Sequence, residues 1–408
     1  MSTVLARAKQ RAAAPPAGPE LAGRRALRRW KVLHACASAA PVALLMEAQL
    51  DAGMAPSLLA AEAGALAGRR GLLNAWSDVK HWKTQLAAKA AGVDLVHAHE
   101  FACGMAALRA GIPVAYDFGA PVEDSQGGRF VAGAWLRRSM RAAEQFLLAR
   151  AGAVVVHSHS MWDRAVERGV GVEDLFLVPE PVAVWPGSGN REHGSETRAT
   201  QPPATQAVCL YAPGIAVQPQ GISPELRTLL EAFAFVREEL ESARLYLEVE
   251  SGAEAVLREL LSVTPCAESL DVITPLQRSR AIADADVVIS AAPLGEGPDA
   301  VALQALARGC ALLAADRPQT REVSSEGRGC LWFRRGDGRD LGHRMAFLAR
   351  NSDFRAALGS AGQAHIAATR GGRAVAEMYD AVYRHAFARH PGPGDFLPAR
   401  LRMAQVCV

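Results

Sequence analysis

The sequence predicts an α/β protein made of two doubly wound, Rossmann-like domains. Three observations lead there. Apolar runs of 4–7 residues alternate with segments of helical periodicity, the pattern of parallel strands covered on both faces. The alternation occurs twice along the 408 residues, a length that suits two or three domains. Between the halves lies WPGSGNREHGSETRATQPPATQ (185–206), whose Gly, Ser, Thr and Pro and lack of periodicity mark a linker.

In the first half the apolar runs fall at 32–37, 57–61, 93–98, 112–116 and 153–157, with helical patterns at 41–52, 77–91, 101–110 and 130–150. In the second half strands are expected at 207–212, 244–249, 271–273, 286–291 and 311–315. Helices are expected there at 223–240, 253–262, 277–284, 299–308 and 338–349. A last segment, 373–388, carries Val375, Met378, Tyr379 and Val382 at i, i+3, i+4, i+7 spacing, an amphipathic helix that must pack on something. The resulting division is a leader (1–29), a first domain (30–185), the linker (186–206) and a second domain (207–372). A helix (373–390) crosses back to the first domain, and a tail (391–408) ends the chain.

At 50% hydrophobic and 21% charged, the chain has the composition of a soluble globular protein. A net charge of +3 implies no bulk attraction to nucleic acid. The charge is uneven, since residues 1–31 hold eight basic side chains against one acid, Glu20. Such a leader could dock a protein partner or an anionic membrane surface; it also fits a solvated extension. Seven scattered cysteines without CxxC spacing favour a reducing compartment, hence a cytoplasmic location with membrane-peripheral association left open, and argue against a zinc cluster. Residues 24–46 mimic a signal peptide, but a first strand running into its helix competes with that reading. No segment is expected to span a bilayer.

Two His-x-His pairs stand out, VHAHE (His97, His99) and VHSHS (His157, His159). Strand alternation puts each pair on one face, as metal ligands require. Matching ligands are not evident among the later histidines, so the expectation is no metal, with His97 and His99 at a strand end facing a ligand. There is no phosphate loop, no Gly-rich dinucleotide fingerprint after the first strand and no nucleophile elbow. That disfavours kinases, NTPases, NAD enzymes and serine hydrolases, and no cofactor is expected.

The stretch GEGPDAVALQALARGC (295–310) places Glu296 in a Gly/Pro loop before a helix that is apolar apart from Gln304 and Arg308. Asp299 suits its N-cap and Gly309 its stop. Taken alone, this is either a core helix with a solvated stripe or one wall of a ligand cleft served by Glu296, Asp299 and Gln304.

Residues 296–309 also resemble the donor-site motif of the retaining GT-B glycosyltransferases of family 4, roughly E-G-F-G-L-x-L-L-E-A-M-A-x-G. ADADVVISAAP before it, CALLAADRPQTREV after it, and the segments 93–117 and 142–160 agree in order and spacing. The resemblance covers roughly residues 30–388 and implies a GT-B fold. It implies transfer of a hexose, with retention, from a nucleotide-sugar to a glycan or small-molecule acceptor. Glu296 and Asp117 are then the catalytic-side carboxylates. Gly214, Gln220, Gly297, Asp299, Gln304 and Arg317 fall on the donor side, and His97 and His99 on the acceptor side.

The departures from the family pattern are equally specific. Gln304 replaces the glutamate that holds the donor ribose. Ile215 and Gln220 stand where the family has an Arg and a Lys on the donor diphosphate, and Gly119 stands at the acceptor-side His. Removing one preorganised charge partner from a transition state costs about 3–4 kcal/mol. Two neutral replacements therefore call for substitute cations, for which Arg278, Arg280, Arg317 and Arg321 are placed, or else indicate a catalytically silent binding or assembly protein. A metal-dependent hydrolase is the remaining reading.

Overall fold

A computed structural model describes residues 28–36, 42–60, 72–89, 91–119, 134–183, 208–291, 299–324 and 327–389. Residues 1–27 of the leader, the linker, the tail, and Glu296 with Gly297 lie outside the described residues. The chain divides into two compact units, one running to Pro181 and resuming at Gly372, the other Val182–Gly371.

In the first unit the order is β1 (Lys31–Cys36), α1 (Ala43–Asp51), β2 (Ala55–Ala60), α2 (Leu72–Lys89), β3 (Leu95–Ala98), α3 (Phe101–Arg109), β4 (Val114–Asp117), α4 (Ala134–Arg150), β5 (Ala153–Val156), α5 (His159–Glu167) and β6 (Leu175–Leu177). The strands pair in parallel in the order β2-β1-β3-β4-β5-β6. The order reverses between β1 and β3, which opens a crevice beyond their carboxyl ends where ligands of such sheets sit.

The side-chain period of two sorts these strands onto two cores. Leu33, Ala35, Val96, Tyr116 and Val154 join one apolar cluster with Trp82, Leu86 and Leu147 from the covering helices. Val32, Leu95, Ala115, Val155 and Val178 join the other, with Leu45 of α1. That second face is also covered by the last helix among the described residues, α13 (Gly372–Ala388), which contributes Val375, Tyr379, Val382 and Tyr383. Trp30 anchors it, donating from Nε1 to Asp380 Oδ1 at 2.7 Å.

The second unit contains β7 (Cys209–Val217), α6 (Pro224–Glu239), β8 (Arg244–Val249), α7 (Glu254–Val263), β9 (Leu270–Ile273), α8 (Arg278–Asp284), β10 (Val287–Ser290), α9 (Ala300–Ala307), β11 (Ala311–Ala315), α10 (Pro318–Val323), β12 (Cys330–Phe333), α11 (Gly338–Arg350) and α12 (Ser352–Arg370). Its sheet is also parallel, in the order β12-β11-β10-β7-β8-β9, and reverses between β7 and β10. β7 carries an irregularity between Tyr211 and Ala216.

Three helices (α5, α10, α12) and the short strands β6 and β12 are absent from the sequence expectation. In α12 the apolar period is broken by Gly359 and Gly362, whose function is close packing. A Cβ on Gly359 would meet the Gly309 carbonyl oxygen at 2.1 Å, and one on Gly362 would meet Leu306 at 2.5 Å.

Candidate functional site

In the first unit, alternation places four polar residues on the face shared with Val32, Leu95, Ala115 and Val155. They are His34 of β1, His97 of β3, Asp117 at the end of β4 and His157 just past β5. The register sets His34 directly opposite His97. His99 follows β3 and turns back towards the same carboxylate. They gather towards the carboxyl ends of β1, β3, β4 and β5, the first two of which flank the reversal in strand order.

The contacts form a nearly closed ring. Asp117 Oδ2 lies 2.6 Å from His99 Nδ1. His99 Nε2 lies 3.0 Å from His34 Nδ1, and His34 Nε2 lies 2.8 Å from Gln49 Oε1. Gln49 Nε2 donates to the Tyr383 hydroxyl at 2.7 Å, which stands 3.0 Å from His97 Nδ1. His97 Nε2 then comes within 3.2 Å of Asp117 Oδ1, although neither atom makes a hydrogen bond. His157 approaches Asp117 Oδ1 at 3.6 Å, while its Nδ1 is 2.7 Å from the Val178 carbonyl.

His34, Gln49 and His97 are completely buried, whereas the side chains of His99 and His157 remain 13% and 20% exposed. Burial pushes His97 down to about 4, with Asp117 opposing the shift. Burial also lowers His34, reinforced by His97 and His99 and opposed by its bond to Gln49. Asp117 feels burial in the other direction, but the three imidazoles around it hold it well below the usual carboxylate range. For His157, burial is outweighed by Asp117 and the Val178 carbonyl, and the ring rises to about 9. The pair His157–Asp117 is therefore ionic at neutral pH.

Of the expected acceptor-side residues, His97, His99 and Asp117 are brought together. His157 joins them, but His159 is the first residue of α5 rather than a strand residue, with Ser158 as N-cap. His34, Gln49 and Tyr383 were missed by sequence reasoning. His34 sits in VLHAC at the same parity as Val32, and that parity was the available signal. Among the described residues, His34, His97 and His99 each bring a ring nitrogen within 4.8 Å of the others, so these three could hold a metal ion.

In the second unit, Asp299 is fully buried and caps α9, accepting from Ala302 N at 3.0 Å and from the Ser290 hydroxyl at the end of β10. Its carboxylate holds that helix start, the N-cap role expected from the sequence. Gln304 is exposed on α9, and Gln220 is exposed in the turn after β7. Gly214 lies within β7, and Ile215 is buried in the core.

Of the four substitute cations, Arg278 pairs with the buried Glu248, Arg280 with Asp284 and Arg321 with Asp316. Arg317, between β11 and α10, is only 7% exposed. Burial pulls it below the usual guanidinium range and Asp299 opposes that pull. It is the cation set beside the Asp299 cap.

Among solved structures, the chain is similar to a glycosyltransferase from Rickettsia africae, with TM-score 0.60 and 12% identity over 88% of this chain and 99% of that one. It is similar to HepE of Anabaena in complex with UDP, with TM-score 0.58 and 14% identity over 87% and 99%. Sucrose-phosphate synthase of Thermosynechococcus elongatus follows, with TM-score 0.58 and 15% identity over 88% and 100%. No protein-family model and no curated protein matches the sequence. At these identities the likeness carries the fold, and the fold is GT-B.

Proposed function

We propose that the chain is a retaining glycosyltransferase of the family-4 type that moves a hexose from a nucleotide-sugar to a hydroxyl of a glycan or small acceptor. The observation that carries this reading is the likeness of fold. The two units together cover nearly the whole length of sugar-transferring enzymes, and the Anabaena neighbour has been seen with UDP and with UDP-glucose. The polar cluster beyond β3, β4 and β5 supplies the acceptor side. There His99, which keeps some exposure, meets the incoming hydroxyl, with the buried Asp117 behind it at 2.6 Å and the fully buried His97 beside that carboxylate. Gln304 hydrogen-bonds the ribose, Glu296 and Gly297 face the donor sugar, and Gly214 and Gln220 approach the diphosphate. Asp299 fixes the start of α9, and Arg317 supplies the cation that Ile215 and Gln220 do not.

One observation favours a second reading, a catalytically silent GT-B binding protein. Ile215 is buried in the core and Gln220 is a neutral surface residue, so neither offers charge to a diphosphate. Calorimetric titration with UDP, GDP and ADP at millimolar concentration separates the two. Saturable binding of one nucleotide, weakened by about 1 kcal/mol in Gln304→Ala, the scale of one neutral hydrogen bond, supports the transferase. Arg317→Gln should weaken diphosphate binding further. No binding of any nucleotide, with Gln304→Ala and Glu296→Ala equally silent, leaves the silent partner.

A further inference from the structure

Proton bookkeeping in the histidine ring leaves one contact without its proton. His34 Nε2 faces Gln49 Oε1, an acceptor, and so carries its proton there. His99 Nδ1 faces the Asp117 carboxylate and carries its proton there. In neutral rings the two remaining nitrogens, His34 Nδ1 and His99 Nε2, both present lone pairs, yet they face each other at 3.0 Å. Two lone pairs at that distance repel unless a cation is shared between them. His97 joins them with different partners. Its Nδ1 stands 3.0 Å from the Tyr383 hydroxyl, which itself accepts from Gln49, and its fully buried Nε2 makes no hydrogen bond and lies 3.2 Å from Asp117 Oδ1.

We infer that His34, His97 and His99 form a binding site for a divalent transition metal of the zinc class, one ring nitrogen from each lying within 4.8 Å of the others. A shared proton would satisfy only His34 and His99, whereas a metal uses all three rings. The outer nitrogens have the support that metal-bound imidazoles normally receive, an oxygen acceptor that fixes tautomer and ring orientation. Here these are Gln49 Oε1 behind His34 and Asp117 Oδ2 behind His99, while the Tyr383 hydroxyl, which accepts from Gln49, stands 3.0 Å from His97 Nδ1. Three neutral imidazoles suit zinc or cobalt and not magnesium or calcium. Zinc–nitrogen bonds of about 2.0–2.1 Å in a tetrahedral site require the 3.0 Å gap to open only to roughly 3.3 Å. With three protein ligands, a fourth position stays available for water or substrate oxygen. Asp117 Oδ1, 3.2 Å from His97 Nε2, is placed to accept from such a water.

This inference does not rest on the transferase reading, and its test needs no nucleotide. The full chain, with any polyhistidine tag removed, is stripped with EDTA and titrated with Zn²⁺ alone and with Co²⁺ alone. One equivalent of zinc should bind saturably, and cobalt should give the intense visible bands of a four-coordinate nitrogen site. His99→Ala should lose affinity by about 100-fold or more, and Gln49→Leu by about 10–100-fold through the loss of ring support. His81→Ala, at an exposed histidine of α2, should match wild type. The wild-type cobalt spectrum is read without any variant, so a misfolded variant cannot obscure the result. No saturable zinc binding, a pale six-coordinate cobalt spectrum, or equal affinity in a folded His99→Ala would overturn the site. The same null result is expected if the Gln49 amide is turned over, because His34 then donates to His99 and no cation is needed.

Discussion

Tyr383 and His97 lie 286 positions apart in sequence, and their hydroxyl and Nδ1 atoms stand 3.0 Å apart in the folded chain. The last helix thus supplies the group that orients a histidine at the centre of the first sheet. Tyr383→Phe keeps the ring and removes the hydroxyl, leaving the buried Gln49 amide without its acceptor. We expect a loss of about 1–3 kcal/mol in denaturant unfolding, the cost of stranding one buried polar group. An unchanged midpoint would show that the ring contributes only apolar packing.

The ion pair of His157 with Asp117 gives a pH dependence whose sign is fixed. The folded pKa of His157, about 9, lies above its ordinary 6.5. Its contribution is therefore complete below pH 6.5 and is lost as pH rises towards 9. In chelator-treated protein, the stability difference between wild type and His157→Gln should shrink across that interval. An NMR titration should place the ring midpoint near 9, and a midpoint near 6.5 would refute the pairing.

The second unit holds a half-solvated counterpart. Glu248 is buried and accepts from the Tyr211 hydroxyl at 2.7 Å and from Arg278 Nε at 3.0 Å. Burial raises its pKa, but Arg278 and Tyr211 together bring it below the usual value, so its contribution is lost as pH falls through that lowered range. The Arg278 side chain is 45% exposed, so solvent weakens the pair. Arg278→Met should then cost about 2 kcal/mol, less than breaking a fully buried pair. Adding Glu248→Gln should restore part of it, and no recovery would mean that packing, not charge, had been lost.

Two glycines should respond differently to the same change. In an exposed helix Gly→Ala gains about 1 kcal/mol from propensity. At Gly359 the new Cβ would sit 2.1 Å from the Gly309 carbonyl oxygen, which is backbone and cannot step aside. We expect Gly359→Ala to destabilise by about 2 kcal/mol or more through overpacking. At Gly104 of α3 the nearest atom is the tip of Leu147 at 2.9 Å, which can rotate. Gly104→Ala should stay within about 1 kcal/mol of wild type. Thermal unfolding of both variants decides it.

Much of the fold was legible because both faces of each sheet are buried, so strands appear as short apolar runs. β6, at 3 residues, offers too little period to read. α12 escaped because Gly359 and Gly362 interrupt its apolar pattern where helices press closest. In the site, His97, His99 and Asp117 were legible from strand-end position and from the resemblance. His34 left only its parity with Val32 as a signal, and Gln49 and Tyr383 left none, because packing between helices and the return of α13 bring them in. The donor-side expectation came from the resemblance alone, and two of its residues, Glu296 and Gly297, fall outside the described segments.

The return of α13 also sets an order of events during synthesis. Residues Val182–Gly371 form one contiguous unit, inserted within a unit that begins before it and ends after it. The inserted unit has all its strands and helices once Arg370 has emerged from the ribosome. The first sheet is made earlier, yet Trp30, Val155 and the buried histidines keep an uncovered face until the last helix arrives. The half translated first is finished last, and a nascent chain stalled when Gly371 has cleared the ribosome but α13 has not should expose that apolar face to chaperones while its downstream unit is already folded.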